Sequence, residues 1–297
     1  MPIISILICT LNDRIRQAAN VLLPPHEDIC YVVSFQYTDD IFLTMVPDVL
    51  RSRADVTLLP LPQTGISANR NNALKHCATH LAIIADDDAQ YHLADVQRII
   101  HTFNCHPEVD IACFQAFTKA GEPLRPYANH DFEYHHRPRG TYFCSLEIAL
   151  RIDLCLPAFD TRFGLGAPYL SCGEEEVFLH QASRYGLHVH YYPIKICTIP
   201  DLHTTGRRFF CDKRVRRSKG AVFYMLHSAP MALLRILYTA ATIRLPEAVD
   251  IGKEPMSPSS IWKLRYTCLK DMLDGFFYVL NHPLNEAVAE EIPLDFQ

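Results

Sequence analysis

The sequence predicts an α/β fold: a mostly parallel sheet flanked by helices, followed by a helical C-terminal extension. Three observations carry this expectation. Between residues 3 and 117, apolar runs of strand length alternate with segments of helical period, the pattern of βαβ units. The apolar runs are continuous rather than alternating, as strands buried on both faces are. Beyond about residue 220 the strand-like runs give way to long amphipathic stretches.

Taken in order, IISILICTL (3–11) is a buried strand, and NDRIRQAANVLL after it has helical character. DICYVVSFQ (28–36) and ADVTLLPL (54–61) are the next two strands. ISANRNNALKHCA (66–78) reads as a helix with Ala68, Ala73, Leu74 and Cys77 on one face, and HLAIIA (80–85) as the strand after it. LADVQRIIHTFNCH (93–106) is amphipathic, with Val96, Ile99, Ile100 and Phe103 on one side. VDIACFQAF (109–117) and HYYPIKICTIP (190–200) are further strands, and a helix runs from the glutamates at 174–176 toward Gly186. Pro, Gly and Ser density marks loops at 60–65, 119–131 and 247–260.

Composition narrows the class. Of 297 residues, 49% are hydrophobic and 21% charged, which leaves ample material for a core. A net charge of −5 and a pI near 6.3 exclude a basic nucleic-acid binder, so no nucleic-acid partner is expected. The eleven cysteines are scattered, with no CxxC pair, and suit a reducing cytoplasm. The opening MPIISILICTLND has no basic leader and reads as a strand. The charge-poor segment 220–234 is shorter than the roughly 20 residues that span a bilayer.

Three clusters carry chemistry. In HLAIIADDDAQYH (80–92) an apolar strand runs into Asp86, Asp87 and Asp88. Three adjacent carboxylates repel unless something positive lies among them. They form either a solvated turn or a divalent-cation site. Strand alternation would point Asp86 and Asp88 one way and Asp87 the other. Position favours the cation, because ligands of parallel sheets bind at carboxyl ends of strands. In the second cluster, Gly164, Gly166 and Gly173 punctuate a loop, and Glu174, Glu175 and Glu176 open a helix. Acids there complement the helix dipole, and they also suit a general base held near a substrate. The third is His203 followed by Arg207, Arg208, Lys213, Arg214, Arg216, Arg217 and Lys219, opposed only by Asp212. It reads as a solvated face, a contact for a nucleotide diphosphate, or a contact for an anionic membrane surface.

In their order these segments resemble the family 2 glycosyltransferases, which have the GT-A fold. The resemblance covers about residues 3–225. Thr10-Leu11-Asn12 is similar to the family's T-x-N turn, GISANRNNAL (65–74) to its G-x-S-x-x-R-N-x-A segment, and IIADDDA (83–89) to its D-x-D. FDTRFGLGAPYLSCGEEEVFL (159–179) resembles its acceptor-side loop and the Gly-Glu-Asp at a helix start. His203 falls where a late histidine joins the metal–diphosphate site. Two places depart from the family. SFQ, ending at Gln36, replaces the acidic pair that contacts the nucleoside, and Glu175 replaces the aspartate.

The resemblance implies an inverting, metal-dependent transfer of a sugar from a nucleotide-sugar, a UDP-sugar, to an acceptor hydroxyl on a glycan or lipid-linked glycan. The setting it implies is bacterial surface polysaccharide or glycolipid synthesis. Mg²⁺ or Mn²⁺ would lie on Asp86, Asp88 and His203. Asp86 would also bond the ribose or a metal-bound water. Thr10, Asn12, Gln36, Ser67, Arg70, Asp87 and Arg207 would serve the nucleotide and its diphosphate. Glu175, with Glu174 beside it, would supply the base. The expected catalytic domain is residues 1–220 and the helical extension 221–297. The extension is read either as packing on that domain or as a peripheral contact with the inner face of a membrane. Two alternatives are a sugar nucleotidyltransferase and a non-catalytic nucleotide-sugar-binding subunit of a synthase complex. The first needs a Gly-rich basic loop after strand one, where this chain has TLNDRIRQ.

Overall fold

The structure, a computed structural model, describes residues 2–200, 205–243 and 258–283. These fall into two compact units, one built from residues up to 161 together with 174–200, the other from 162–173 and the described residues after 204.

The first unit is the sheet. In chain order it runs β1 (Ile4–Leu11), α1 (Ile15–Ala18), β2 (Ile29–Gln36), α2 (Asp48–Ser52), β3 (Val56–Leu61), α3 (Ile66–Lys75), β4 (Leu81–Asp86) and α4 (Leu93–Cys105). It continues with β5 (Ile111–Thr118), β6 (Phe132–Glu133), β7 (Ile148–Arg151), α5 (Glu174–Arg184) and β8 (Val189–Ile199). The eight strands lie in the order β3-β2-β1-β4-β7-β5-β8-β6. Only β6 and β7 run against the rest. The expected mostly parallel sheet flanked by helices is therefore present. The short antiparallel β7, inserted between β4 and β5, lies in a region with no readable period.

Strand alternation explains how both faces are filled. Ile4, Ile6 and Ile8 of β1 and Ile83 of β4 join the cluster that contains Val96, Ile99 and Phe103 of α4. Leu7 and Cys9 of β1, with Ala82 and Ile84 of β4, join the opposite cluster, which contains Ala73 and Leu74 of α3 and Phe178 and Leu179 of α5. The continuous apolar reading of β1 follows from burial on both sides.

Residues 12–21, expected to be helical, form only a four-residue α-helix between two 3₁₀ turns. Their polar side chains tie down instead: Arg14 and Gln17 both reach Asp87 at the end of β4.

The second unit contains α6 (Lys213–Leu226), α7 (Ala229–Thr242) and α8 (Pro258–Asn281). The apolar stretch from 220 is thus two helices. Pro230 sits in the first turn of α7, where its missing N–H costs nothing. The basic run is not uniformly solvated either. Arg216 Nε donates to Asp271 Oδ2 at 2.7 Å and its Nη1 to the carbonyls of Phe209 and Phe210. Arg217 Nε donates to Asp274 Oδ2 at 2.7 Å and its guanidinium lies over the Tyr169 ring. Both arginines turn inward because α8 brings two aspartates to them.

Between these ion pairs the α6 and α8 backbones nearly touch. A Cβ added at Gly220 would lie 1.8 Å from the Met272 carbonyl oxygen, and one at Gly275 would lie 1.9 Å from that of Arg217. Only glycine fits at either place. We expect Gly220→Ala and Gly275→Ala each to force the helices apart. Overpacking typically costs ~1–3 kcal/mol, and the obstacle here is backbone, so the loss should reach the upper end. Urea unfolding of each variant against wild type measures it.

Candidate active site

Three carboxylates meet one guanidinium where the parallel strands end. Asp86 closes β4 on the same face as Ala82 and Ile84, which is the face covered by α3 and α5. Arg70 projects from the middle of α3 and is buried. Its Nη1 lies 3.0 Å from Glu174 Oε1 and 3.1 Å from Glu175 Oε1. Its Nη2 donates to Ser145 Oγ at 2.8 Å and lies 3.8 Å from Asp86 Oδ1. Ser145 Oγ in turn donates to Asp86 Oδ1 at 3.2 Å.

Polar stitching holds α3 in place. Asn69 Nδ2 donates to the Thr10 carbonyl, and Asn72 Nδ2 donates to Ser34 Oγ on β2. Asn71 bonds the backbone of Phe159 twice, donating to its carbonyl at 2.9 Å and accepting from its N–H at 2.7 Å. Phe159 then stacks on Phe178 of α5 with ring centroids 4.2 Å apart and lies under the Arg70 guanidinium. Arg70 is therefore aimed by its helical neighbours.

One positive charge against three negative ones leaves this corner acidic. Burial works against the charge of Arg70, and Glu175, Glu174 and Asp86 more than offset it, so its pKa is raised. Burial raises Glu174, and neighbouring Glu175 raises it further. The second oxygen of Glu174 is buried with no hydrogen-bond partner. Desolvation, opposed by Arg70 and assisted by Asp88, pushes Asp86 up to about 6. Glu175 is the more accessible of the two acids on Arg70, its side chain 16% exposed against 7% for Glu174.

Asp87 is held differently. It accepts from Thr10 Oγ1 at 2.7 Å, from Arg14 Nε and Nη2, and from Gln17 Nε2 at 3.2 Å. Buried and saturated, it fixes the turn. Arg14 Nη2 also reaches Asp88 Oδ2 at 3.2 Å. Asn12 takes a left-handed φ of 53°, which asparagine tolerates, and its Oδ1 accepts from the Thr38 backbone at 2.9 Å. Gln36 Nε2 donates to the Gly65 carbonyl, and Ser67 is buried in the first turn of α3. The described contacts of Thr10, Asn12 and Gln36 thus fasten loops around the strand ends. Glu176 is half-buried and is not among the ion-pair partners of Arg70. His203 and the side chain of Arg207 lie outside the described residues.

Arg14 and Ser145 escape sequence reading. Arg14 looks like one polar residue of a short helix, and Ser145 lies in a stretch without period. Two residues on from Ser145, the fully buried Glu147 accepts from Tyr127 Oη and from the Cys144 N–H, and lies 3.2 Å from Arg125. Burial, opposed by Arg125, pushes Glu147 up to about 7. This network anchors the long segment from 119 to 144 beside Ser145.

Asp86 and Asp88 fit a hard divalent cation. Their side chains are 35% and 38% exposed, and such an ion typically needs only one or two carboxylates, with phosphate and water oxygens completing its shell. Among the described residues there is no group of three His, Cys, Asp or Glu side chains arranged around one point.

Residues 5–155 match the model of the family described as Glycosyl transferase family 2. No curated protein matches the chain by sequence. Among solved structures, S. aureus TarS 1-349 in complex with UDP-GlcNAc is similar, with a TM-score of 0.55 at 12% identity over 94% of this chain and 90% of that one. The same protein in complex with UDP gives 0.53 at 13% identity with the same coverage. A further S. aureus TarS structure gives 0.53 at 14% identity over 92% of this chain, which spans 54% of that chain. At these identities the likeness establishes the GT-A-like fold.

Replacing Arg70 by methionine would strand its carboxylates. Breaking a buried pair typically costs ~3–5 kcal/mol, and we expect a loss of that order at neutral pH. Asp86, raised from 3.8 to about 6, and Glu174, also raised, bind protons more tightly folded than unfolded. Their contribution to stability is present in full below the unfolded values and is lost as pH rises through the folded ones. The Arg70→Met deficit should therefore shrink toward pH 4 and widen above pH 6, as denaturant unfolding across that range would measure.

Proposed function

The chain belongs to glycosyl transferase family 2, and on that premise we propose that it transfers a sugar from a UDP-sugar to an acceptor hydroxyl with inversion of configuration. The observation that carries this reading is the carboxylate cluster on Arg70, set at the carboxyl end of β4 where a parallel sheet receives its ligand. UDP and UDP-GlcNAc in the TarS structures support a uridine nucleotide as donor. The acceptor class is a glycan or lipid-linked glycan.

Glu175 acts as the base. Arg70 Nη1, 3.1 Å away, orients its carboxylate, and its side chain is reachable where that of Glu174 is closed in. It takes the proton from the acceptor hydroxyl as that oxygen attacks the anomeric carbon. The bond from that carbon to the diphosphate oxygen breaks with its electron pair going to the departing UDP. One displacement of this kind inverts the centre. Glu174 stays on Arg70 and keeps the guanidinium fixed. Asp88 together with Asp86 would hold Mg²⁺ or Mn²⁺. Such an ion, when bound, supplies charge stabilisation to the leaving diphosphate. Asp87, Thr10 and Arg14 keep the turn that presents both aspartates.

Glu175→Gln keeps the shape and removes the basic oxygen. General-base help is typically worth ~10²–10⁴ in rate, so UDP release in the presence of acceptor should fall by that factor with donor affinity nearly unchanged. A loss appearing in Glu174→Gln or Glu176→Gln instead would reassign the base. Asp88→Asn should remove both turnover and its response to added Mn²⁺ after chelation. Full activity in that variant would sink the metal role. A donor panel read by nucleoside diphosphate release identifies the sugar.

A further inference from the structure

Helix α7 is apolar on two opposite sides. Ala232, Ile236 and Ala240 are buried with Cys268, Met272 and Phe276 of α8. Met231, Leu234, Leu237 and Tyr238, on the far side, are exposed, Tyr238 at 71%. A helix that is hydrophobic all round is ordinarily covered all round. Helix α8 repeats the pattern: Trp262 and Tyr266 are 69% and 68% exposed, and Phe277 and Leu280 follow at helical spacing on the same flank. No helix among the described residues is long and apolar enough to cross a membrane.

Among the described residues, the charges on these two helices that have no ion-pair partner are all positive. Helix α7 has Arg235 and no acid. The two acids of α8, Asp271 and Asp274, are held by Arg216 and Arg217. That leaves Arg235, Lys263 and Lys270 exposed, with no ion pair among the described residues, and Arg265 lies over the Trp262 ring. A second copy of the chain docked face to face would bring like charges together. An anionic lipid surface would meet both the charge and the aromatic side chains, since Trp and Tyr favour the level of the headgroups.

We propose that the exposed stripes of α7 and α8 seat the chain on an anionic membrane surface, with Leu234, Leu237, Tyr238, Trp262 and Tyr266 entering the headgroup layer and Arg235, Lys263 and Lys270 facing lipid phosphates. This attachment is independent of the catalytic reading. It places the contact on α7 and α8, not on the basic run, whose Arg216 and Arg217 serve internal pairs.

Trp262 is the single tryptophan of the chain, so the chain carries its own probe. Vesicles of mixed phosphatidylcholine and phosphatidylserine should shift its emission to shorter wavelength and co-sediment the protein. Vesicles of phosphatidylcholine alone should bind far less, and added salt should weaken the anionic binding. Leu234→Ser with Tyr238→Ser should lower the partition by about tenfold or more. Both side chains are exposed, and an unchanged thermal melt would show that the fold survives. Lys263→Gln with Lys270→Gln should remove most of the salt dependence. Three results would overturn the proposal: no binding to anionic vesicles at low salt, binding without a change in Trp262 emission, or a concentration-dependent dimer that buries Trp262 without lipid.

Discussion

A guanidinium buried at the ends of parallel strands has to be neutralised, and around Arg70 the neutralising groups come from two separate elements. Asp86 arrives by strand alternation at the end of β4, and Glu174 and Glu175 arrive in the first turn of α5. The side chains can meet only if α3 holds a fixed position, and greasy contact alone would let it slide. Asn69, Asn71 and Asn72 supply directional bonds to β1, to the Phe159 backbone and to β2. The charge that remains unbalanced belongs to the carboxylates, so this corner of the sheet is acidic.

The segment from 119 to 144 shows the same economy with one buried acid. Glu147 sits just before a short strand inside the sheet and gathers Tyr127, the Cys144 N–H and Arg125. A long connection with little regular structure is thereby fixed at its far end, next to the serine that bridges Arg70 and Asp86. Polar groups this deep are costly unless satisfied, and here both carboxylate oxygens of Glu147 accept a hydrogen bond.

Much of this was legible in the sequence, for physical reasons that differ by element. Strands β1, β2 and β4 announced themselves because burial on both faces demands unbroken apolar runs, and the acids at 86–88 and 174–176 announced themselves by sitting where those runs or a glycine loop end. The separate task of Asp87 followed in outline from alternation, but its partner Arg14 did not, since a residue 73 positions away leaves no local mark. Ser145, Glu147 and β7 fall in a stretch whose order comes from side-chain networks, which have no period. The inward turn of Arg216 and Arg217 depends on aspartates far along the chain. The division between α6 and α7 at Ser228 and Pro230 escapes the sequence reading, because it lies inside what looks like one apolar stretch.

The close crossing of α6 and α8 also bears on how the chain is made. Arg216 and Arg217 find their aspartates 55 and 57 residues later. At a synthesis rate of about 5–20 residues per second, α6 emerges some seconds before its partner exists. During that interval its two arginines remain hydrated and the notch at Gly220 stands open to whatever apolar segment comes near. The register is then set in a single docking step, because a slip by one turn would move Gly275 off the Arg217 carbonyl and unpair both arginines together. A nascent chain arrested ahead of α8 would carry the strands of the sheet while leaving α6 and α7 without the helix they pack on, so this helical unit waits on a segment made later than itself.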